Sequence, residues 1–242
     1  MASFSGREVA KRIEINNENY RVDTTDKEVV VLLLCGSLKI DSKIISRQNV
    51  FDCEPVGVYG ANCGSFVIEA IGKAEFCIIQ NFSKDYIVAI NSLSNASVKK
   101  RVNLQMIKKE KITSNFVGHN NYRREVKTII DSKSGLESLI IGETKKAQGN
   151  WSSWPPHKHD SFTAGEESEQ KEIYLYKFRE KKGFGIQLVY DDEVSNPIIV
   201  KDNDEVKIES GYHPVVTSPH SEMYYLWVLF GDNSFFKARC EE

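Results

Sequence analysis

The chemistry-bearing side chains of this chain concentrate around one stretch, Gly149-Asn-Trp-Ser-Ser-Trp-Pro-Pro-His-Lys-His-Asp160. His157 and His159 are two residues apart, so an extended strand puts both imidazoles on one face and Lys158 on the other. Pro155 and Pro156 stop a helix and favour extended chain. Two imidazoles on one strand face can chelate a divalent metal. Glu172 opens a patterned run in which Glu172, Tyr174, Tyr176 and Phe178 share a face. A carboxylate heading an aromatic inward face is costly if buried alone, so it demands a cation. His213 follows the turn Glu209-Ser-Gly-Tyr212, where a returning strand would pass the first two histidines. Glu166, Glu167 and Glu169 compete for the ligand position, but Glu172 alone begins a patterned strand. His157, His159, Glu172 and His213 are therefore the expected ligands of one divalent ion, and Zn, Mn, Fe, Ni or Co all suit that donor set.

The elements that must position these groups read as short strands divided by turns. In the first half these cover 29–34, closed by Cys35-Gly36-Ser37, a hairpin of 38–40 with 43–45, then 56–59, 65–71, 75–80 and 86–90. In the second half they cover 136–142, 172–178, 185–190, 198–201, 205–209, 213–217 and 223–230. Residues 97–112 are the one stretch with a helical or mixed pattern. Regular short strands predict an all-β chain with closed or sandwiched sheets. Similar strand counts in the two halves, and a faint echo between 50–65 and 200–215, suggest a duplicated barrel. No histidine precedes His119, so only the second half can hold a histidine-rich site.

With 242 residues and 40% hydrophobic content, the chain can bury one large core or two small ones. A net charge of −2 argues against nucleic acid or an anionic membrane as main partner. The basic residues at 99–101 and 108–111 read as a solvated segment. Cys35, Cys53, Cys63, Cys77 and Cys240 are odd in number with no C-x-x-C pair, which suits free thiols in a reducing compartment. The first residues lack an apolar leader core, and the longest apolar run, 29–35, is too short to span a bilayer. A cytoplasmic protein is expected.

The succession His-x-His, Glu and Gly-x-His resembles the ligand pattern of cupin barrels. Asn150-Trp-Ser-Ser-Trp-Pro-Pro-His-Lys-His-Asp160 resembles the signature of the 5-deoxy-glucuronate isomerase family of myo-inositol catabolism. Leu139-Ile-Ile-Gly-Glu143, Glu172-Ile-Tyr-Leu-Tyr176, Gly183-Phe-Gly-Ile-Gln187, Val189-Tyr-Asp191, Gly211-Tyr-His-Pro-Val215 and Tyr224-Tyr-Leu226 resemble it too, with Val50-Phe-Asp52 and Val58-Tyr59 fitting more loosely. The likeness is good over about residues 118–235 and weak elsewhere. It implies a bicupin, two packed jelly-roll-like barrels of which only the C-terminal one binds metal, with domains at 1–118 and 119–242. The family's ligands fall on His157, His159, Glu172 and His213. Two features depart from the family: a shorter N-terminal end and a variable loop at 161–171. The gap of 13 from His159 to Glu172 is also longer than the usual cupin spacing.

The resemblance further implies an aldose–ketose isomerisation of 5-deoxy-glucuronate to 5-dehydro-2-deoxy-gluconate. Such a reaction needs a base to move a proton between adjacent carbons. Glu172, Tyr174, Tyr225 and His220 are the candidates, His220 also reading as a solvated turn residue. Arg124 could hold the substrate carboxylate, its guanidinium fork matching that group. Ser152 and Ser153 could bind sugar hydroxyls. Gln187 either lines the pocket or is a buried structural amide, and Trp151 and Trp154 either stack on sugar or pack the barrel mouth. A homodimer fits two packed barrels. Other readings are a non-catalytic sugar-binding cupin, a metal-dependent dioxygenase and the related 4-deoxy-5-hexosulose-uronate isomerase, which fold alone does not separate.

Overall fold

The computed structural model describes residues 9–82, 101–231 and 236–241. The chain is all-β, its described helical content being three short 3-10 turns. It divides into two compact units, Ser5–Ile112 with Asp131–Leu139 and Thr113–Ile130 with Ile140–Glu242. The units exchange short segments around residues 113–139, so no single cut separates them.

The first unit carries β1 (Ala10–Asn16), β2 (Asn19–Asp23), β3 (Lys27–Ile40), β4 (Lys43–Arg47), β5 (Val56–Ala61), β6 (Ser65–Ala70), β7 (Lys73–Phe82) and β8 (Val102–Met106). They form one sheet in the order β1-β7-β3-β5-β8, with β4 and β6 on β3 and β2 on β6. The organising strand is β3. Its apolar run from Val29 to Leu34 is buried on both faces, as a central strand requires.

Residues 35–37 were expected to close that strand. Instead the chain continues as β3, with a register shift between Leu33 and Cys35. Gly36, at φ 97°, makes the bend sterically feasible, because a Cβ there would lie 2.4 Å from the Lys73 carbonyl oxygen. The first part of β3 pairs with β5 and β7, the second with β4 and β6. The hairpin at 38–45 forms as expected.

Of the helical or mixed pattern expected for 97–112, the described residues take the mixed form. Val102–Met106 is strand β8, paired with β5, and only Lys109–Lys111 makes a helical turn. Val102, Leu104 and Met106 alternate with period two, and Leu104 and Met106 pack on the core, so sheet pairing wins over weak helical propensity. The expected strand at 86–90 lies outside the described residues. Val29, Leu38, Val58, Ile68, Phe76 and their neighbours fill the interior with almost purely aliphatic and phenyl carbon.

One carboxylate breaks that pattern. Glu28 is buried and accepts hydrogen bonds from Glu137 N (2.5 Å), Ser138 N (3.0 Å) and Ser138 Oγ (2.6 Å). Burial outweighs those bonds and raises its pKa.

The second unit carries β9 (Thr113–Val117), β10 (Arg124–Ile130), β11 (Leu139–Lys146), β12 (Trp151–Ser152), β13 (His157–Lys158), β14 (Gln170–Phe178), β15 (Phe184–Tyr190), β16 (Ser195–Lys201), β17 (Glu205–Ile208), β18 (Val215–Thr217), β19 (Met223–Gly231) and β20 (Arg239–Cys240). A six-stranded sheet runs β17-β14-β19-β11-β10-β9, a four-stranded one β12-β18-β15-β16, and β13 pairs with β20. The interior here is aromatic, with Tyr174, Tyr176, Phe178 and Tyr225 among its buried members. No helix among the described residues is long and apolar enough to cross a membrane. The five cysteines are free thiols, as expected.

Candidate metal centre and substrate cavity

Strand parity puts His157 and His159 on one face, as their spacing predicts. Their rings lie 4.8 and 5.0 Å from the ring of His213. Lys158 points the other way, to Asp160 Oδ1 (2.7 Å) and Glu167 Oε1 (3.1 Å). The His159, Glu172 and His213 donor atoms all lie within 4.8 Å of one another, and all three residues are buried. His159 Nε2 and His213 Nε2 approach the same oxygen, Glu172 Oε2, at 3.2 and 3.3 Å.

The imidazole tautomers follow from their neighbours. His157, His159 and His213 each direct Nδ1 at a main-chain carbonyl, of Pro155 (3.3 Å), Gln170 (3.1 Å) and Gly211 (2.9 Å). A carbonyl can only accept, so each Nδ1 carries the proton and each neutral ring keeps its Nε2 lone pair for a ligand. Lone pairs of His159 and His213 then face an anionic oxygen, and His213 Nε2 is buried without a hydrogen-bond partner. Such a set calls for a cation at its centre. The residues present therefore fit a divalent ion.

The electrostatics differ among these groups. Burial and the neighbouring His213 lower the His157 pKa to about 3, keeping it neutral. Burial alone would raise the Glu172 carboxyl, but the facing His159 and His213 hold it at about 2. Burial opposes charge on His159, yet Glu172 outweighs it and raises its pKa.

Polar residues around the cluster position its side chains. Asp160, next to His159, accepts from Gly211 N at 2.7 Å and so ties the His159 segment to the His213 segment. Glu167, weighed in the sequence as a rival ligand, is instead used locally: its Oε1 accepts from Asp160 N (2.9 Å), Ser161 N (3.1 Å) and Lys158 Nζ. Gln187 donates to His213 O (2.7 Å) and Pro214 O (3.1 Å) and accepts from Tyr176 OH. It is buried outside the cavity wall, so the substrate-contact assignment gives way to the structural-amide alternative. Lys146, also buried, donates to Val215 O at 2.6 Å.

Beside the cluster lies a cavity of about 220 Å³. His157, His159 and Glu172 form one part of its wall, and Arg124, Ser152, Ser153, Tyr174 and Tyr225 also line it. Tyr174 OH pairs with Ser153 Oγ at 3.0 Å, and Tyr225 OH pairs with Ser152 Oγ. Burial lifts both phenol pKa values, for Tyr174 well above the ordinary range, so both are neutral at physiological pH. Ser153 adopts a left-handed backbone, φ 50°, a strained conformation that aims its hydroxyl at Tyr174. Arg124 keeps one bond, to Tyr122 O at 3.1 Å, while lining the cavity.

His220 is exposed and Trp154 is 40% exposed; neither they nor Trp151 line the cavity. Sequence reasoning missed Val126, Thr128, Thr144, Trp227, Leu229 and Phe236, all on the wall. A period-two reading forward from Arg124 and Tyr225 would have found Val126, Thr128, Trp227 and Leu229. Gly142 explains how Trp227 reaches the wall, because a Cβ there would lie 2.1 Å from its indole.

Comparison with known proteins bears on this site. A 5-deoxy-glucuronate isomerase of Geobacillus kaustophilus is 30% identical over 223 residues, covering 88% of this chain and 75% of its own length. One from Halalkalibacterium halodurans is 31% identical over 228 residues, covering 90% and 79%. Among solved structures, an IolB-like protein from Salmonella typhimurium superposes with a TM-score of 0.82 at 23% identity, covering 96% of this chain and 86% of the other. Oxalate decarboxylase of Lactobacillus farciminis shares the fold at a TM-score of 0.59 and 10% identity, covering 96% and 79%. The KduI/IolB family model matches residues 14–241, and the chain belongs to that family.

Proposed function

We propose that this chain is a metal-dependent 5-deoxy-glucuronate isomerase, an aldose–ketose isomerase acting on a small sugar acid in myo-inositol catabolism. The observation that carries the reading is the convergence of His159, Glu172 and His213, two of which, His159 and Glu172, open onto a cavity that also presents Arg124. Relatives named for this activity, matched over most of the chain, support the same substrate. The proposal includes a bicupin fold, one ion of Zn, Mn, Fe, Ni or Co held by His157, His159, Glu172 and His213 in the C-terminal unit, a cytoplasmic location and a homodimer.

A divalent ion held by His157, His159, Glu172 and His213 would supply Lewis acidity, making the C–H next to the substrate carbonyl more acidic. The chain's own groups do the rest. Arg124 binds the far carboxylate. Ser152 and Ser153, with Tyr225 and Tyr174 as neutral donors, orient the sugar hydroxyls. The proton shuttle needs a group unprotonated at neutral pH, and Glu172 is the carboxylate on the cavity wall. Its Oε2 faces both imidazoles, leaving its other oxygen to take the C2 proton and return it to C1. The hydroxyl proton passes from O2 to O1, and the substrate leaves as an isomer with no net gain or loss of atoms.

The test is turnover of 5-deoxy-glucuronate by EDTA-treated protein before and after adding Mn or Zn. Ketose formation restored by metal is expected. Its absence at every metal tested would sink the reading, leaving a binding protein or an oxygen-using enzyme.

A further inference from the structure

His159, Glu172 and His213 are anchored to the large sheets of their unit. Glu172 sits on β14, paired on one side with β17 and on the other with β19. His159 O accepts from Gln170 N at 2.8 Å and its Nδ1 faces Gln170 O, which ties it to the start of the same strand. His213 O accepts from Gln187 on β15. These are also the residues whose donor atoms cluster within 4.8 Å. His157 is held differently. Its strand β13 is two residues long and belongs to neither large sheet. Among the described residues its ladder partner is β20, with His157 opposite Cys240 and Lys158 opposite Arg239. The Lys158 side chain bonds to Asp160 and Glu167, within the loop that follows.

Residues 236–241 carry β20 and are tied down beyond that ladder. Glu241 N donates to Pro156 O at 2.9 Å, next to His157. Tyr190 OH donates to Glu241 Oε2 at 2.7 Å. Lys237 N donates to the buried Ser168 Oγ at 3.1 Å, and Ser168 N returns a bond to Lys237 O at 2.9 Å. The same segment brings Phe236 to the cavity wall, its ring 5.9 Å from that of His159. A two-residue ladder is marginal by itself, so these ties decide whether β13 keeps its place. We infer that residues 236–241 are a strap that positions His157 as the fourth ligand, beside a core of His159, Glu172 and His213 that the rest of the unit assembles. With the strap unseated, that core still holds an ion, but more weakly. This inference rests on the metal-dependent reading above.

The experiment measures the Zn dissociation constant of the full chain by competition with a chromogenic chelator, and the visible spectrum of the Co-loaded protein. Glu241→Pro removes the main-chain donor to Pro156 and the carboxylate that accepts from Tyr190, and it alters no proposed ligand and no cavity-lining residue. It should weaken Zn binding about tenfold and shift the Co spectrum toward that of His157→Ala. Glu241→Gln keeps the donor and an acceptor oxygen, and should restore affinity to within about twofold of wild type. The deciding readout is the double variant. A strap that acts through His157 has little left to lose once His157 is alanine, so adding Glu241→Pro to His157→Ala should weaken Zn binding by less than about twofold further. Equal losses in both backgrounds, or wild-type affinity in Glu241→Pro, overturn the strap. Should Glu241→Pro fail to fold by circular dichroism, Ser168→Ala removes the acceptor of Lys237 N and faces the same two outcomes. Wild type that binds no divalent ion would sink the metal-dependent reading, and the strap with it.

Discussion

The two units are both all-β, yet their interiors are built on different chemistry. The first unit fills its centre with Val, Leu, Ile and Phe around β3. The second lines its centre with Tyr174, Tyr176 and Tyr225 and buries His159, His213 and Glu172 beside them. Aliphatic burial is non-directional and stabilises in proportion to area. Buried hydroxyls, imidazoles and carboxylates stabilise nothing until each finds its partner. The second unit therefore carries a web of positioning bonds, from Asp160, Gln187, Lys146 and Ser153, that the first unit does not need around its core. The difference teaches that a sheet-lined interior becomes a site where packing is given up for convergent polar groups.

That contrast can be broken most sharply at the proposed ligands. His159→Ala should lower bound metal and reduce kcat/KM by more than about 100-fold, since even outer-shell changes cost 10–100-fold. Metal analysis of the purified variant, alongside kinetics, checks it; full occupancy would remove His159 from the site. The matching change in the first unit, Phe76→Ala, removes a fully buried phenyl and should cost about 3–5 kcal/mol in denaturant unfolding. It should leave KM and metal content of the folded protein unchanged. A large KM effect would deny the separation of roles between the units.

The smallest effect tests the exception in the first unit. Glu28→Gln turns one acceptor oxygen into a donor facing donors at Glu137 and Ser138, and should destabilise by about 1–3 kcal/mol near neutral pH. The pH dependence has a definite sign. A carboxyl whose folded pKa is raised binds more protons folded than unfolded, so its contribution is full below the unfolded value and is lost as pH rises through the folded one. Wild type should lose that increment above the ordinary carboxylate range, and Glu28→Gln should not. Unfolding midpoints measured across that range would show parallel curves if Glu28 had no such role.

What the sequence determined by itself was local. Spacing alone carries strand parity, so His157 and His159 on one face, Lys158 on the other and Glu172 heading an aromatic face were legible from residue order. The strand texture and the position of the histidines in the second half were legible for the same reason. Tertiary structure decided what depends on partners distant in the chain. It joined 29–34 to 38–40 through a bend at Gly36, because Glu75 pairs with Cys35 before the bend and Ala70 with Leu38 after it. It drew 102–106 into a sheet by offering β5 as a partner. It spent Gln187 on the His213-Pro214 carbonyls and Glu167 on its own loop, and it brought Val126 and Trp227 to the cavity from separate strands. Parity is a property of one strand, whereas which groups converge, and which are already satisfied, is fixed only when strands far apart in sequence take their register.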